Sequence, residues 1–405
     1  MKCFFIVALA VFTLASGVEL YSQTVKNIPG QEQESKQNSA GLLLPPALYA
    51  VPGTELNVYF DNIVVVPDIK SIYFDVDCKY GRQDQERWRF IPEDKDAGSF
   101  PLTIKVYDTA TKLLGEATAT VFVSPKDAGK GKSISVLLVG DSLTNDSTYP
   151  KELFDLFKKD GMAVKFIGSH TGAGKPPRED APSHEGYGGW TWRAFCTKYA
   201  EKPANPADPA AYRSGSSPFV FLKDDSPVLD FKTYCDRKND GKAPDYICIT
   251  LGANEILGAN DSNIRQTLDD ISTYADMLIS EFKRVGPSSK IAIGVGELSS
   301  ASQDSFGENY KCGMTRWQYR KYQSELIRQF IRKFAGREKE NIFILPIYHN
   351  IDCVNNFLQK EEQVNARNPK KILRACNGVH PATEGYLQMA DSFYGWFKYE
   401  LNRNK

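Results

Sequence analysis

The sequence has no excess of charge of either sign. Its 50 basic and 50 acidic residues give a formal net charge of zero at pH 7. Proteins that bind nucleic acid or anionic lipid need a basic surface, so we expect neither partner. A neutral chain is compatible with a small-molecule or polysaccharide substrate.

Long apolar runs are also missing, except near the start of the sequence. That run, residues 4–14, is shorter than the roughly 20 residues of a membrane span, and small residues follow it at positions 15–17. A short positive start, an apolar segment and small residues are typical of a secretory signal peptide. We therefore predict a signal peptide over residues 1–17, a polar tether over residues 18–41, no membrane span, and a secreted or periplasmic protein.

Cysteines in metal-binding pairs are absent, because no Cys-x-x-Cys spacing occurs, and we expect neither a metal nor another cofactor. Removal of the signal peptide with Cys3 leaves seven of the eight cysteines, an odd number that cannot all pair. Cys78 and Cys248 lie in apolar strand patterns and are predicted to be buried thiols. One or two disulfides would fit an oxidising compartment, among Cys235, Cys312, Cys353 and Cys376.

Two different patterns divide the rest of the chain. Over residues 42–126 apolar residues recur with a period of two, as at Ile72, Phe74 and Val76. About six short strands in such a span predict a small β-sandwich, which we interpret as an accessory domain. The charged, glycine-bearing segment 126–132 marks its boundary.

From residue 133 to 405 the pattern changes to buried strands that alternate with helices. Residues 134–139 and 246–251 are nearly continuous apolar runs, and residues 262–285 carry one apolar stripe at helical spacing. Alternating strands and helices predict a three-layer α/β domain with a parallel sheet. Ligands bind at the carboxyl ends of the strands in such a sheet.

A serine follows the first of these strands, in Gly140-Asp141-Ser142. A serine at this position is exposed at the edge of the sheet, and Gly140 permits the tight turn. The hydroxyl of a serine is a weak nucleophile that needs a base. The alternative interpretation of Ser142 is an N-cap of the next helix.

Histidine is scarce, with only four residues in the chain. His380 lies between Gly378 and Pro381 just before the last helical pattern, where it is well placed to face a site. His170 and His349 have no neighbours that indicate chemistry, and we interpret them as structural or surface residues.

Two further segments favour a catalytic site. His184 precedes a glycine-rich loop that contains Gly189, and glycines let backbone N–H groups approach a ligand closely. Asn254 follows the strand that ends at residue 251, where its amide N–H₂ can point at a developing oxyanion. The alternative interpretation of Asn254 is a turn residue.

These segments, in this order, resemble the SGNH/GDSL hydrolase family, which has a three-layer, flavodoxin-like α/β/α fold. The resemblance covers residues 133–405. It implies that Ser142 is the nucleophile and that its N–H, Gly189 and Asn254 form the oxyanion hole. It also implies that His380 is the base.

The chain departs from the family pattern at two positions. Asn377 stands where the family usually has an aspartate, three residues before the histidine. Glu255 stands where the family usually has an aspartate directly after the asparagine that Asn254 matches. An aspartate orients the imidazole and stabilises imidazolium. Either Ser142 and His380 act as a dyad oriented by the Asn377 side-chain oxygen or another carbonyl, or Glu255 or Glu185 substitutes, or the enzyme is slow or inactive.

The first explanation is favoured, since an amide oxygen can accept from an imidazole N–H. We place Asn377 with Ser142 and His380 among the catalytic residues. Further substrate-binding candidates are Asp141, His184, Trp190 and Glu255, while Trp192 suits either the cleft or the core.

The expected function is a secreted serine ester hydrolase that removes O-acetyl or similar groups from carbohydrates. Its expected partner is an acylated small-molecule or polysaccharide substrate. The alternatives are a lipase or acylhydrolase-type esterase, an acyl transferase, and a non-catalytic glycan-binding protein on the same scaffold.

Overall fold

The computed structural model describes residues 41–172, 181–204, 214–296 and 299–403. The predicted signal peptide, and the predicted tether except for residue 41, lie outside these residues. The described residues belong to one compact unit that spans residues 38–405. Within them, no helix combines the length and the apolar character that crossing a membrane requires.

Strands are found in both halves of the described chain. They are β1 (Ala47–Ala50), β2 (Leu56–Tyr59), β3 (Ile72–Cys78), β4 (Arg82–Gln83), β5 (Arg87–Phe90), β6 (Gly98–Asp108), β7 (Leu113–Val123), β8 (Ser133–Gly140), β9 (Ala163–Ile167), β10 (Glu185–Gly186), β11 (Val220–Lys223), β12 (Ser226–Leu229), β13 (Tyr246–Thr250), β14 (Lys290–Val295), β15 (Ile342–Pro346), β16 (Gln359–Asn365) and β17 (Asn368–Ala375).

The helices lie mostly in the second half. The α-helices of the described residues are Phe60–Ile63, Ser142–Asn145, Thr148–Lys159, Trp192–Thr197, Phe231–Lys238, Ala253–Leu257, Ile264–Val285, Gln303–Tyr310, Arg316–Phe334 and Thr383–Arg403. Short 3-10 helices occur at Ile69–Ser71, Asp94–Asp96, Glu338–Glu340 and Tyr348–Asn350.

A parallel sheet forms the centre of the second half. Its strands are ordered β10-β8-β13-β14-β15, and β9 pairs with the first part of β8. Every pairing in this sheet is parallel. The carboxyl ends of the strands therefore meet along one edge, which is where the predicted site segments follow β8, β10 and β13.

Both faces of this sheet are covered by helices. Successive side chains of a strand point to opposite faces, so Leu138 of β8 packs in an apolar cluster with Phe397 of the last helix. Leu137 packs in the other cluster with Leu278 of the helix Ile264–Val285. Burial on both faces explains the continuous apolar runs in the sequence. The prediction of a three-layer α/β fold with a parallel sheet is confirmed.

Two β-sheets form the first part of the described chain. One has the order β1-β7-β6-β3 and the other has the order β2-β5-β4. Aromatic rings of the two sheets meet between them, as at Phe90 and Phe100, whose ring centroids are 5.7 Å apart. The strands that the alternating pattern predicts are therefore present. Their assignment to a separate accessory domain with the boundaries given above stays a prediction.

Polar contacts join these sheets to the α/β part. The Asn57 N–H donates to Asn350 Oδ1 at 2.8 Å, and the Asp61 carboxylate is 2.7 Å from the Arg316 guanidinium. The segment between the two parts is also held. Lys398 Nζ, on the last helix, donates to the carbonyl oxygens of Lys126 at 2.8 Å and Ala128 at 2.9 Å.

The cysteines differ from two sequence expectations. All seven cysteines in the described ranges are free thiols, and Cys248 is buried as predicted, whereas Cys78, which was also predicted to be buried, is only partly buried at the end of β3. The one or two disulfides that were considered possible among Cys235, Cys312, Cys353 and Cys376 do not form. Cys235 and Cys353 lie in the two apolar clusters on opposite faces of the parallel sheet, which separates them, and Cys312 is exposed.

Candidate active site

The predicted site segments meet at one cleft along the carboxyl edge of the parallel sheet. The cleft has a volume of about 640 Å³. Its lining residues are Asp141, Ser142, Leu143, Gly188, Gly189, Trp190, Lys198, Ala253, Asn254, Leu257, Tyr310, Val379 and His380.

Ser142 begins a short helix immediately after β8. The preceding Asp141 caps this helix, because its Oδ1 accepts from the Leu143 N–H at 2.9 Å. A Cβ atom on Gly140 would lie 2.0 Å from Thr144 Oγ1, so only glycine allows the helix to pack this closely against the strand. Strand, turn and cap together fix the position of the serine.

The imidazole of His380 lies directly beside this serine. His380 Nε2 is 2.7 Å from Ser142 Oγ, within the range of a strong hydrogen bond. Burial lowers the pKa of His380, and the charge of Asp146 partly opposes this shift. A histidine that is neutral at pH 7 can accept the serine proton on Nε2 when its own proton is on Nδ1.

Asn377 lies on the other side of the imidazole. Its Oδ1 accepts from the backbone N–H groups of His380 at 2.9 Å and Val379 at 3.1 Å. The same oxygen is 3.3 Å from His380 Nδ1. The side chain therefore both closes the turn that carries the histidine and offers an acceptor to the Nδ1 proton.

Glu185 and Glu255 are held elsewhere and form no hydrogen bond with His380 in the described structure. Glu185 is buried and accepts from three hydroxyl groups, those of Ser169, Tyr187 and Tyr234. Glu255 Oε1 accepts from the Trp192 N–H at 2.7 Å. The geometry therefore gives neither carboxylate the orienting position that an aspartate would occupy at residue 377.

Gly189 lies in a turn in which the Trp190 N–H donates to the carbonyl oxygen of Tyr187 at 3.1 Å. Its φ of +78° belongs to the left-handed region that favours glycine. This conformation explains the glycine at position 189, whose backbone lines the cleft.

Asn254 also reaches the cleft, and Asp141 orients it. Asn254 Nδ2 donates to the Trp190 carbonyl oxygen at 2.9 Å and to Asp141 Oδ2 at 3.2 Å. Both amide protons thus have acceptors in this structure. Donation to an oxyanion requires one of these bonds to be replaced, and the longer bond to Asp141 is the weaker one.

Of the other residues predicted to line the cleft, the structure places one in the cleft and two in the protein interior. Trp190 lines the cleft, with its ring stacked on that of Tyr187 at 4.4 Å. His184 is fully buried outside the cleft, contrary to the prediction, and its Nε2 lies 2.7 Å from Ser147 Oγ. Trp192 is fully buried in the core. The sequence of this glycine-rich loop does not show which of these side chains faces the cleft, because the side chains of neighbouring residues in a turn point in different directions.

Lys198 and Tyr310 also line the cleft, although neither belongs to a motif in the sequence. Lys198 Nζ lies 4.6 Å from the centre of the Trp190 ring. Burial lowers the pKa of Lys198 and raises the pKa of Tyr310. Both residues are at or beyond the ends of short helices, and tertiary packing alone brings them to the sheet edge.

The described residues contain no group of three histidine, cysteine or carboxylate side chains that is arranged to hold a metal ion. The groups that meet in the cleft are instead a hydroxyl, an imidazole and amide donors. That set suits acyl transfer through a serine.

Glu255 makes the stability of this site dependent on pH. Burial raises its pKa from 4.5 to about 7, an effect that the Trp192 N–H opposes and the charge of Asp141 reinforces. Between these pH values the folded protein binds a proton that the unfolded chain has lost, so stability falls as pH rises. The loss is at most about 3 kcal/mol, at 1.36 kcal/mol for each unit of pKa.

Glu255→Gln is expected to reduce this fall in stability, because the titrating carboxylate is removed while the amide oxygen still accepts from the Trp192 N–H. Asp391, whose pKa burial also raises to about 7, keeps its own contribution. Urea unfolding between pH 5 and 8 measures the effect. Glu116→Gln, at an exposed position, is the control and should keep the wild-type slope. An unchanged slope in Glu255→Gln would contradict the assignment.

The profile of the GDSL-like Lipase/Acylhydrolase family matches residues 136–393. A comparison with curated protein sequences gives no match.

Among solved structures, a Clostridium thermocellum family 3 carbohydrate esterase is 17% identical, with 67% of this chain and 98% of that chain covered and a TM-score of 0.37. A possible lipase from Chitinophaga pinensis is 14% identical, with 66% and 98% covered and a TM-score of 0.36. The match over residues 136–393 spans more than half of the chain and includes Ser142, Gly189, Asn254 and His380. The chain therefore belongs to the GDSL-like lipase/acylhydrolase family.

Proposed function

We propose that this protein is a serine esterase that removes O-acetyl or similar small acyl groups from carbohydrates. The observation that carries the catalytic part is the distance of 2.7 Å between Ser142 Oγ and His380 Nε2. This pair lies in a cleft at the carboxyl edge of the sheet, with Gly189 and Asn254 in the same lining.

The first half of the reaction forms an acyl-enzyme. Ser142 Oγ attacks the ester carbonyl carbon while His380 Nε2 takes the serine proton. The negative charge that develops on the carbonyl oxygen is stabilised by the N–H groups of Ser142 and Gly189 and by Asn254 Nδ2, which gives up its long bond to Asp141. The tetrahedral intermediate then collapses, and the leaving alcohol takes the proton from His380.

The second half regenerates the enzyme. Water attacks the acyl carbon and gives a proton to His380 Nε2. The intermediate then collapses to the carboxylic acid while Ser142 Oγ, the leaving group, takes that proton back from His380. Each half passes through an imidazolium, whose Nδ1–H faces Asn377 Oδ1 at 3.3 Å. An amide oxygen stabilises this cation less than a carboxylate does, because it carries only a partial charge.

The substrate part of the proposal is supported by the polar groups near the dyad. Lys198, Asn254 and Tyr310 line the cleft together with Trp190. Sugar hydroxyls both donate and accept hydrogen bonds, so a mixed set of this kind suits them. The neutral net charge of the chain is compatible with a polysaccharide.

A lipase-type acylhydrolase is the second candidate. The observation that favours it is the group of apolar side chains in the same cleft, Leu143, Leu257 and Val379. Such a group suits an acyl chain longer than acetyl.

Release of acetate from a panel of acetylated plant and host glycans tests the substrate. The same protein is assayed on p-nitrophenyl acetate, butyrate, octanoate and laurate. We expect acetate release from at least one glycan, and cleavage of the acetate ester about tenfold faster than that of the laurate ester, the scale on which pockets discriminate methylene groups.

The opposite preference, with no acetate released, would favour the lipase-type enzyme. Glycan binding without cleavage of any ester would favour a non-catalytic binding protein.

A further inference from the structure

The turn that carries His380 has three consecutive backbone N–H groups, and a side-chain oxygen accepts from each of them. Asn377 Oδ1 serves Val379 and His380, as described above. The Gly378 N–H donates to Asn309 Oδ1 at 2.6 Å. Of the two acceptor side chains, Asn377 lies in the turn itself and Asn309 lies on a different element.

The element that carries Asn309 is the helix Gln303–Tyr310, which is itself fixed. Ser302 caps its first turn by accepting from the Asp304 N–H at 3.1 Å, and Phe306 is fully buried. Tyr310 closes the helix and lines the cleft.

The same helix also forms ion pairs with β16 and β17, the strands that precede His380 in the sequence. Arg374, near the end of β17, is 3.1 Å from the Asp304 carboxylate. Lys360 of β16 is 2.7 Å from Glu308. The Gly378 carbonyl oxygen accepts from the Ser300 N–H at 2.9 Å. The peptide units around Gly378 are thus held at both their donor and their acceptor groups.

The orientation of His380 depends on this turn because the bond that aligns its ring is long. Asn377 Oδ1 already accepts two backbone N–H groups before it meets Nδ1 at 3.3 Å. A small rotation of the Gly378 peptide would move Oδ1 away from the ring. A misplacement of about 1 Å can lower a catalytic rate about a hundredfold.

We propose that Asn309 is a positioning residue, which holds the Gly378 N–H and thereby fixes the Asn377–His380 turn so that the imidazole faces Ser142. This inference rests on the proposed esterase function. Asn309 does not line the cleft, so it acts through His380. Its side chain is exposed, so its truncation leaves no cavity in the core.

Asn309→Ala and Asn309→Asp test the proposal with p-nitrophenyl acetate. In Asn309→Ala, kcat is expected to fall about tenfold or more while KM stays within about twofold of wild type, because the lost interaction aligns the base and does not touch substrate. In Asn309→Asp the acceptor is kept, so kcat should return to near wild type. The added negative charge should raise the pKa of the histidine and move the kcat–pH curve to higher pH.

Asn365→Ala is the matched control. Asn365 is also exposed and its Oδ1 also accepts from backbone N–H groups, those of Arg367 at 2.9 Å and Asn368 at 3.0 Å, at the tip of the β16–β17 hairpin. This variant should keep the wild-type kcat.

The inference is wrong if wild type is active and Asn309→Ala keeps kcat within about twofold, or if Asn309→Asp is as slow as Asn309→Ala. Should Asn309→Ala fail to fold, as judged by circular dichroism, the rate and pH profile of Asn309→Asp decide the question. A wild type that cleaves no ester would instead refute the proposed function.

Discussion

Replacing Ser142 with alanine is expected to lower kcat/KM for p-nitrophenyl acetate by about ten-thousandfold or more, as removal of a catalytic serine does in serine hydrolases. The substitution deletes the hydroxyl that lies 2.7 Å from His380 Nε2. The fold should persist, because the Asp141 cap of the helix and the packing of Gly140 do not involve the hydroxyl. Initial rates and circular dichroism measure the two effects.

Ser262→Ala is the control for this experiment. Ser262 is exposed, and its hydroxyl contacts only Asn260 among the described residues. Its activity should equal that of wild type. Labelling with a fluorophosphonate, followed by peptide mapping, should place the adduct on Ser142 in wild type. Equal turnover by wild type and Ser142→Ala would show that another residue is the nucleophile.

Replacing Asn377 with aspartate is expected to raise kcat by about tenfold or more, since the reverse change in a serine protease costs about ten-thousandfold. A carboxylate at the position of Oδ1 would still accept from Val379 and His380. It would also stabilise the imidazolium that forms in each half of the reaction. The same charge raises the pKa of the histidine, so the kcat–pH curve should move to higher pH.

Asn377→Ala separates orientation from charge. It removes the acceptor for Nδ1 and for two backbone N–H groups, so kcat should fall at least about tenfold below wild type. Measurement of kcat across pH should rank Asn377→Asp above wild type and wild type above Asn377→Ala. Unchanged rates in both variants would remove Asn377 from the mechanism.

The parallel sheet shows why this fold could be predicted from sequence. A strand that is buried on both faces must be apolar along its whole length. Residues 134–139 and 246–251 satisfy this condition except at Ser135 and Thr250, and they correspond to β8 and β13. The long amphipathic pattern over residues 262–285 likewise corresponds to the helix Ile264–Val285. These signals are local, because periodicity is set by the geometry of a single element.

The environment of individual residues was harder to predict. His184 was expected in the cleft, yet its ring packs beside His170 with the centroids 4.6 Å apart, and burial lowers its pKa. Two of the four cysteines considered for disulfides, Cys235 and Cys353, lie in separate apolar clusters. Which side of a loop faces solvent depends on the elements packed against it, and those elements are distant in sequence.

The sequence by itself determined the order of the site segments, and with it the family and the positions of Ser142, Gly189, Asn254 and His380 along the chain. Each segment follows a strand or precedes a helix whose pattern is local. Only the tertiary structure decided how the histidine is oriented without an aspartate. Asn377 Oδ1 takes that position, and Asn309, which is 69 residues from Gly378 in the sequence, holds the turn through the Gly378 N–H. A hydrogen bond between distant segments leaves no periodic trace in the sequence, because it depends on where the folded chain brings two side chains together.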